Sequence, residues 1–391
     1  MSTRAFLIIL FVFAFSIRFG ATLVLPEKVL LLSDSREYRD IAINIAAGDG
    51  VILHEGAKAK RPPGYPLFLS LSEKLFPGKR EVLFLSQAFL GGGLCVLVFL
   101  VGRITVGKTV SVFAALLCAV YPLLIYSGSS LLIEPLYSIL FILEIFFLIR
   151  AQGEWKYGWL AGLAGGLASL VQAGHILFFL PVLLYRRGKY AVPYLLTFLF
   201  VISIWSWRNR EVLGEWVPIT TQSGYTLYES MGPDATGGTV GSIMQLPPQK
   251  ELGEVAYDRL LRDLAWENVT PNRFLSLALQ KQKRFWSVVP NAEGMKSGMF
   301  YFATLCFLPI LFGFMFALLK WRRIREEAGW LLLPIVYTAT LHLIFLGSIR
   351  YRLAVEPFLI LLACWGVSQF IQAGALSGRG AMWLSPSGSS D

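Results

Sequence analysis

Apolar runs of about 18 residues or more recur along almost the whole of this chain. In a hydrocarbon layer no water is present to pair backbone N–H and C=O groups, so each run must close its own hydrogen bonds as a helix. This constraint reduces the fold to one class: an all-α, polytopic helical membrane protein. Charge agrees with it. Only 15% of residues are charged, against about 25% in a soluble domain.

The runs place roughly ten spans. They cover about 5–25, 82–102, 109–127, 131–149, 157–173, 175–185, 190–207, 298–320, 329–348 and 353–372. The segment around 155–185 carries Gly158, Gly162, Gly165, Gly166 and Gly174, which permit close helix packing or a break. The N-terminal run is too long for a signal-peptide core and no A-x-A site follows it, so it reads as an uncleaved first span.

Lys and Arg outnumber Asp and Glu 35 to 25. With the N-terminus cytoplasmic, the inside loops carry Arg103 and Lys108, Arg150 and Lys156, Arg186-Arg187-Gly-Lys189, and Lys320 to Arg325. The short outside loops, Ser127–Ser130 and Gln172–His175, carry none. This is the positive-inside pattern. It accounts for most of the excess charge, leaves no basic block of the nucleic-acid-binding kind, and puts both termini in the cytoplasm. Four parts follow: a transmembrane module, 1–207, with a first outer loop at about 26–80; an extracytoplasmic helical loop domain, 208–297; further spans, 298–372; and a Gly/Ser-rich, disordered tail, 373–391. Within the second part, Gly237–Gly241 is Gly-rich, and Leu252–Trp266 and Phe274–Trp286 have helical patterns. No internal repeat is visible, which weakens an inverted-repeat transporter.

Cys95, Cys118, Cys306 and Cys364 all fall inside spans without metal-ligand spacing and read as small core residues. His54, His175 and His342 lie far apart in sequence, which argues against a zinc site.

Charge held at the mouth of a helical bundle marks chemistry or transport more often than architecture. Asp34 and Glu37 share a helix face. They also read as a capping box, with Asp34 as N-cap and Glu37 at N3, and a cap can position a catalytic carboxylate. Tyr38, Ile41, Ala42, Ile45 and Ala46 form an apolar stripe that suits an interfacial helix. Arg61-Pro-Pro-Gly-Tyr65-Pro is a rigid turn, either a plain connector or a mount for a guanidinium against a phosphate. Glu134 opens the fourth span, as a dipole-favoured first-turn carboxylate or as a second group facing Asp34. Glu144 lies deeper and calls for a basic partner that spacing does not identify. Arg208 and Asn209 end the seventh span, and Arg350-Tyr351-Arg352 ends the ninth. They suit an outer anion such as a lipid phosphate, or snorkelling to headgroups. Lys281, Arg284 and Trp286 form a third, weaker cluster. Asn268-Val-Thr270 matches a glycosylation sequon, followed by Pro271.

In this order the motifs resemble integral-membrane glycosyltransferases of the GT-C fold, near glycosyltransferase family 39. That group includes the dolichyl-phosphate-mannose protein mannosyltransferases and the lipid A aminoarabinose transferases. The resemblance spans about 5–372 and rests on Asp34-Ser-Arg-Glu-Tyr38, Arg61-Pro-Pro-Gly-Tyr-Pro-Leu-Phe-Leu69, Ser130 to Tyr137, Trp207-Arg-Asn209 and Arg350-Tyr-Arg352. It implies a polyprenyl-phosphate sugar donor, a lipid, glycan or protein acceptor on the extracytoplasmic face, and direct displacement with inversion. Asp34 matches the first-loop base, with Glu37 and Glu134 beside it. Arg61, Tyr65, Arg208, Asn209, Lys281, Arg350, Tyr351 and Arg352 are then candidates to bind the substrate and its phosphate. Asp34 and Glu37 are not a contiguous acidic pair, which argues against a required metal, with a divalent ion as the alternative. For a prokaryotic chain the location is the plasma (inner) membrane. The rival readings are a lipid-linked glycan flippase and an O-antigen polymerase or ligase.

Overall fold

The computed structural model describes residues 2–53, 56–185, 188–238, 252–267, 269–289 and 298–382. His54, Arg186 and Arg187, most of the Gly237–Gly241 stretch and Asn268 lie outside them, as do residues 383–391. Among the described residues every regular element is a helix.

By length and composition, five described helices can cross a membrane: Thr3–Val24, Arg80–Thr105, Ala191–Leu213, Tyr301–Leu319 and Trp321–Ile344. A sixth arises if the bent pair Lys108–Val120 and Pro122–Ser129 is one span. The chain is an integral membrane bundle, but the count of about ten is not reached by this measure. The expected span at 109–127 is bent by 57°. Tyr157–Val171 has 15 residues, and a 3₁₀ turn, Ala173–Leu177, interrupts the next apolar stretch. The last helix, Glu356–Met382, continues past 373, into the segment expected to be a disordered tail.

The bend has a chemical cause. Pro122 has no N–H to give to the Cys118 carbonyl, so the ladder stops there. Arg18, fully buried in the first helix, supplies donors instead: Nη2 to Cys118 O at 3.0 Å and Nη1 to Ala119 O at 3.2 Å. Its side chain runs between two backbones that carry no Cβ at the contact. A Cβ on Gly91 would sit 2.2 Å from Arg18 Cδ, and one on Gly128 2.7 Å from it.

Of the two readings of the glycines at 158–174, close packing holds for the four in Tyr157–Val171, Gly165 meeting Glu144 and Phe198, while Gly174 lies in the 3₁₀ turn. Gly158, Gly162 and Gly166 face the Ala191–Leu213 helix, and a Cβ on Gly162 would lie 2.2 Å from the Tyr194 carbonyl oxygen. Glu144 also finds its partners. His175 Nε2 is 2.8 Å from Oε2, and the Tyr194 hydroxyl donates to Oε1 at 2.8 Å. A second buried pair, Arg352 and Glu356, meets at 3.0 Å. These interior groups are hydrogen-bonded within the bundle, as desolvation demands.

The helices Ser223–Met231, Glu254–Glu267 and Pro271–Phe285 follow the Ala191–Leu213 helix. The last of them caps Gly329–Ile344. Lys281 donates to Leu343 O and Ile344 O, and Gln282 to Ala339 O. The Leu343 and Ile344 carbonyls are ones that a helix end leaves without partners, whereas Ala339 lies inside the helix. Arg284 Nε holds Gly347 O at 3.2 Å, which fixes the loop leading to Arg350.

Candidate functional site

The helix Ser33–Ala47 starts with Leu32 as its N-cap. Asp34 therefore lies in the first turn and is not the cap. Ser35 does the capping, accepting from Leu32 N at 3.2 Å and donating to Leu131 O at 2.7 Å. The Asp34 carboxylate is left free to point at cations. The apolar stripe is turned largely into the protein, with Ile45 and Ala46 partly exposed. Tyr38, Ile41 and Ala42 are buried within the protein.

The Arg61 motif is helical sooner than its prolines suggested. The helix Gly64–Leu75 begins inside it, with Pro63 as N-cap and Pro66 in the first turn, where a missing N–H breaks no bond. A Cβ on Gly64 would stand 2.9 Å from Leu170 O, so only glycine lets this turn close against the end of Tyr157–Val171. Tyr65 is buried behind the site. Its hydroxyl donates to Gln87 Oε1 at 3.0 Å, and its ring meets Tyr38 edge-on at 5.3 Å. Gln87 in turn donates to Leu132 O at 2.7 Å, two residues before Glu134.

These elements bring four sequence-distant groups together. Arg61 Nη2 donates to Asp34 Oδ1 at 2.8 Å, and Arg350 Nη1 to Asp34 Oδ2 at 2.7 Å. Arg350 Nε also reaches Glu134 Oε1 at 2.6 Å. On the other flank, Glu37 takes Arg61 Nε at 2.5 Å and Lys60 Nζ at 3.2 Å. Gln222 and the Tyr38 ring hold the remaining faces of Arg61. Burial alone would push Asp34 up, but Arg61 and Arg350 hold its carboxyl below the usual carboxylate range. Burial, opposed by Arg61, pushes the Tyr38 phenol up to about 12. Asp34, Arg61, Glu134 and Arg350 line one cavity of about 360 Å³. Its other walls include Ile176, Leu177, Leu341 and Phe345, so it has an ionic end and an apolar flank.

Several expected substrate contacts are elsewhere. Arg208 donates to Lys58 O and Val51 O and lies over the Trp205 ring, so it anchors the first loop. Asn209 is buried and donates to Val217 O and Ile219 O. Lys281 caps a helix, and burial lowers its ammonium to about 8. Arg352 is fully buried, bonded to Glu356, Phe285 O and Ser287 O. None of these four lines the cavity, nor does Tyr65, whereas Tyr351 does. A cation near an outer helix end reads the same in sequence whether it faces a ligand or a bare carbonyl, and burial of the carbonyl decides which. Conversely, Thr338 and His342 line the cavity and had no sequence signal as site residues beyond their helical register. No group of three or more His, Cys, Asp and Glu placed to hold a metal occurs among the described residues. A divalent ion at Asp34 would have to displace an arginine from it.

Set against known proteins, residues 60–207 match the family model for dolichyl-phosphate-mannose-protein mannosyltransferase. That segment holds Arg61, Glu134 and Trp207, while Asp34 and Arg350 lie outside it. No curated protein matches the chain. Among solved structures, the oligosaccharyltransferase of Archaeoglobus fulgidus tethered to an acceptor peptide aligns at a TM-score of 0.60. Identity is 13%, over 96% of this chain and 51% of that one. The archaeal oligosaccharyltransferase AglB from the same organism, in complex with an inhibitory peptide and a dolichol-phosphate, gives 0.53 at 14% identity. That alignment covers 99% of this chain and 53% of that one. The chain has the GT-C fold, and its likeness to the mannosyltransferase family model is confined to residues 60–207. It spans about half the length of these oligosaccharyltransferases.

Proposed function

We propose that the protein is a membrane glycosyltransferase that takes a sugar from a polyprenyl-phosphate donor and passes it to a lipid, glycan or protein acceptor. The observation that carries this reading is the Asp34 carboxylate gripped by Arg61 and Arg350 at the ionic end of the cavity. An inverting displacement needs a base for the acceptor and cations for the leaving phosphate, and both occur here within hydrogen-bond reach of each other. The apolar flank suits the first isoprene units. The positive-inside pattern supports an extracytoplasmic setting for this end of the bundle.

The pairing suggests how one end can serve both roles. Asp34 without ligand has both oxygens occupied by guanidinium groups. A donor phosphate offers those guanidiniums a second anion. As Arg61 or Arg350 turns to it, one Asp34 oxygen is freed and becomes more basic. That oxygen then accepts the proton of the acceptor hydroxyl or amine as the new glycosidic bond forms at the anomeric carbon. The bond to the phosphate oxygen breaks, and the phosphate leaves on the arginines. Glu134, held by Arg350, keeps the second arginine in register. A flippase reading gains nothing from the interior charges, because Glu144 and Arg352 are engaged with His175 and Glu356.

The test is sugar transfer from radiolabelled polyprenyl-phosphate sugars to membrane extract, with wild type beside Asp34→Asn. Loss of about 10²- to 10⁴-fold is expected for removal of a general base. Full activity in Asp34→Asn would remove it from that role. Absence of transfer from every donor, with lipid-linked sugar still bound, would favour a flippase.

A further inference from the structure

Beyond the ionic end, the cavity wall holds polar atoms that the fold itself does not use. Glu134 Oε1 is taken by Arg350, but Oε2 is buried and has no protein partner among the described residues. Thr338 Oγ1, also buried on the cavity wall, has none either. His342 lies one helical turn further, at i+4 on the same helix face. Its ring is stacked between Tyr351, at 4.6 Å, and Phe285, at 5.7 Å. Nδ1 lies 2.6 Å from Leu346 O, a carbonyl that can only accept. The proton therefore sits on Nδ1, and Nε2 carries a lone pair. Tyr351 follows Arg350 directly, so the three groups continue from the ionic end along one wall.

Buried polar atoms in folded proteins are nearly always paired, and those left unpaired call for an explanation. Glu134 Oε2, an acceptor, and Thr338 Oγ1, a hydroxyl that can donate or accept, are two such atoms, and the His342 Nε2 lone pair adds a second acceptor on the same wall. A carboxylate oxygen and an imidazole lone pair together require a ligand that brings hydrogen-bond donors. A phosphate or a hydrocarbon chain brings none.

We infer that Glu134 Oε2, Thr338 Oγ1 and His342 Nε2 form the subsite for the transferred sugar. It selects a sugar rich in hydroxyl or amine donors and rejects one with a carboxylate. The inference rests on the donor reading and specifies its substrate. A uronic acid would place a second carboxylate against Glu134 in a buried setting, where like charges are strongly disfavoured. A neutral hexose or an amino sugar would satisfy all three atoms while its phosphate remains on Arg61 and Arg350.

Binding to the purified full chain in detergent separates the two levels, using three short-chain prenyl lipids: the bare phosphate, its mannosyl ester and its glucuronyl ester. The mannosyl lipid should bind about tenfold more tightly than the bare phosphate, as one or two added hydrogen bonds allow. The glucuronyl lipid should bind no better than the bare phosphate. Thr338→Val and His342→Phe should each remove most of the mannosyl advantage and leave affinity for the bare phosphate unchanged. Thr338→Val is the decisive variant, because its hydroxyl has no protein bond to lose and the valine is isosteric; it should melt no lower than wild type. If the bare phosphate binds but the mannosyl group adds nothing, the subsite is wrong and the phosphate site stands. The subsite is equally wrong if both variants keep the advantage or the glucuronyl lipid binds as well as the mannosyl lipid. If none of the three lipids binds, the donor reading falls, and the subsite with it.

Discussion

Arg350 is the residue through which the site is coupled, since it touches both Asp34 and Glu134. Its removal should change the acid chemistry of Asp34 in a definite direction. In the wild type the Asp34 carboxyl titrates below its usual range. A depressed carboxylate contributes stability that is present above its unfolded pKa, about 3.9, and is lost as pH falls through the lower folded value. Asp34 should therefore be ionised across the neutral range, and kcat/KM should show no acidic limb from it above about pH 4. In Arg350→Met one of the two lowering partners is gone and the upward push of burial remains. The carboxyl then titrates higher, and an acidic limb should move up into the measurable range. A pH–rate profile of the two proteins checks this, and coincident acidic limbs would show that Arg350 does not tune Asp34. At this scale the sequence was partly legible. Asp34, Arg61, Glu134 and Arg350 stood out because charge beside a membrane needs a reason. Arg208 and Lys281 stood out equally, for a different reason, since each satisfies backbone carbonyls. Thr338 was not legible, because a neutral residue in an apolar helix has no signature until the cavity beside it is known, and His342 stood out only as a polar residue deep in a span with no site attached to it.

At the scale of elements, the break at Pro122 and the buried Arg18 form one unit. Arg18→Met removes the donors to Cys118 O and Ala119 O and leaves buried carbonyls unpaired. A loss of about 2–4 kcal/mol is expected from such a deletion. Pro122→Ala returns an N–H to the position that Cys118 O lacks. The double variant should therefore be less destabilised than the sum of the two single changes. Thermal unfolding in detergent measures all three, and strict additivity would mean that Arg18 does not compensate for the proline. The same break shows why one of the expected spans, 109–127, was read as straight. Summed hydropathy passes smoothly through Tyr121-Pro122, and nothing in it registers a 57° change of direction. The helical patterns at 252–266 and 274–286 were legible because their periodicity is local, and they match helices at Glu254–Glu267 and Pro271–Phe285.

For the whole molecule, the fold class follows from the apolar runs alone, whereas the placement of the site depends on which helix ends share a side. The start of Ser33–Ala47, the start of Glu134–Ala151 and the end of Gly329–Ile344 all deliver residues to the same cavity. With the proposed orientation that side is extracytoplasmic. In a chain whose four cysteines are replaced by alanine, a cysteine at the exposed position Lys74 should react with an impermeant maleimide added to intact cells. One at exposed Gly153 should react only after permeabilisation. The reverse pattern would put the cavity inside.

The ion pairs of the site also bear on turnover. Three carboxylates, Asp34, Glu37 and Glu134, are matched by three cations, Lys60, Arg61 and Arg350. The resting cluster is therefore electrically neutral. A phosphodiester donor adds one negative charge to it. The monoester left after transfer carries about −1.5 to −2 at pH 7. The arginines thus grip the phosphate of the spent carrier more firmly than that of the loaded one, which offsets part of what the sugar contacts give the loaded carrier. The spent carrier is therefore an inhibitor of its own enzyme, and added bare lipid phosphate competes with the donor.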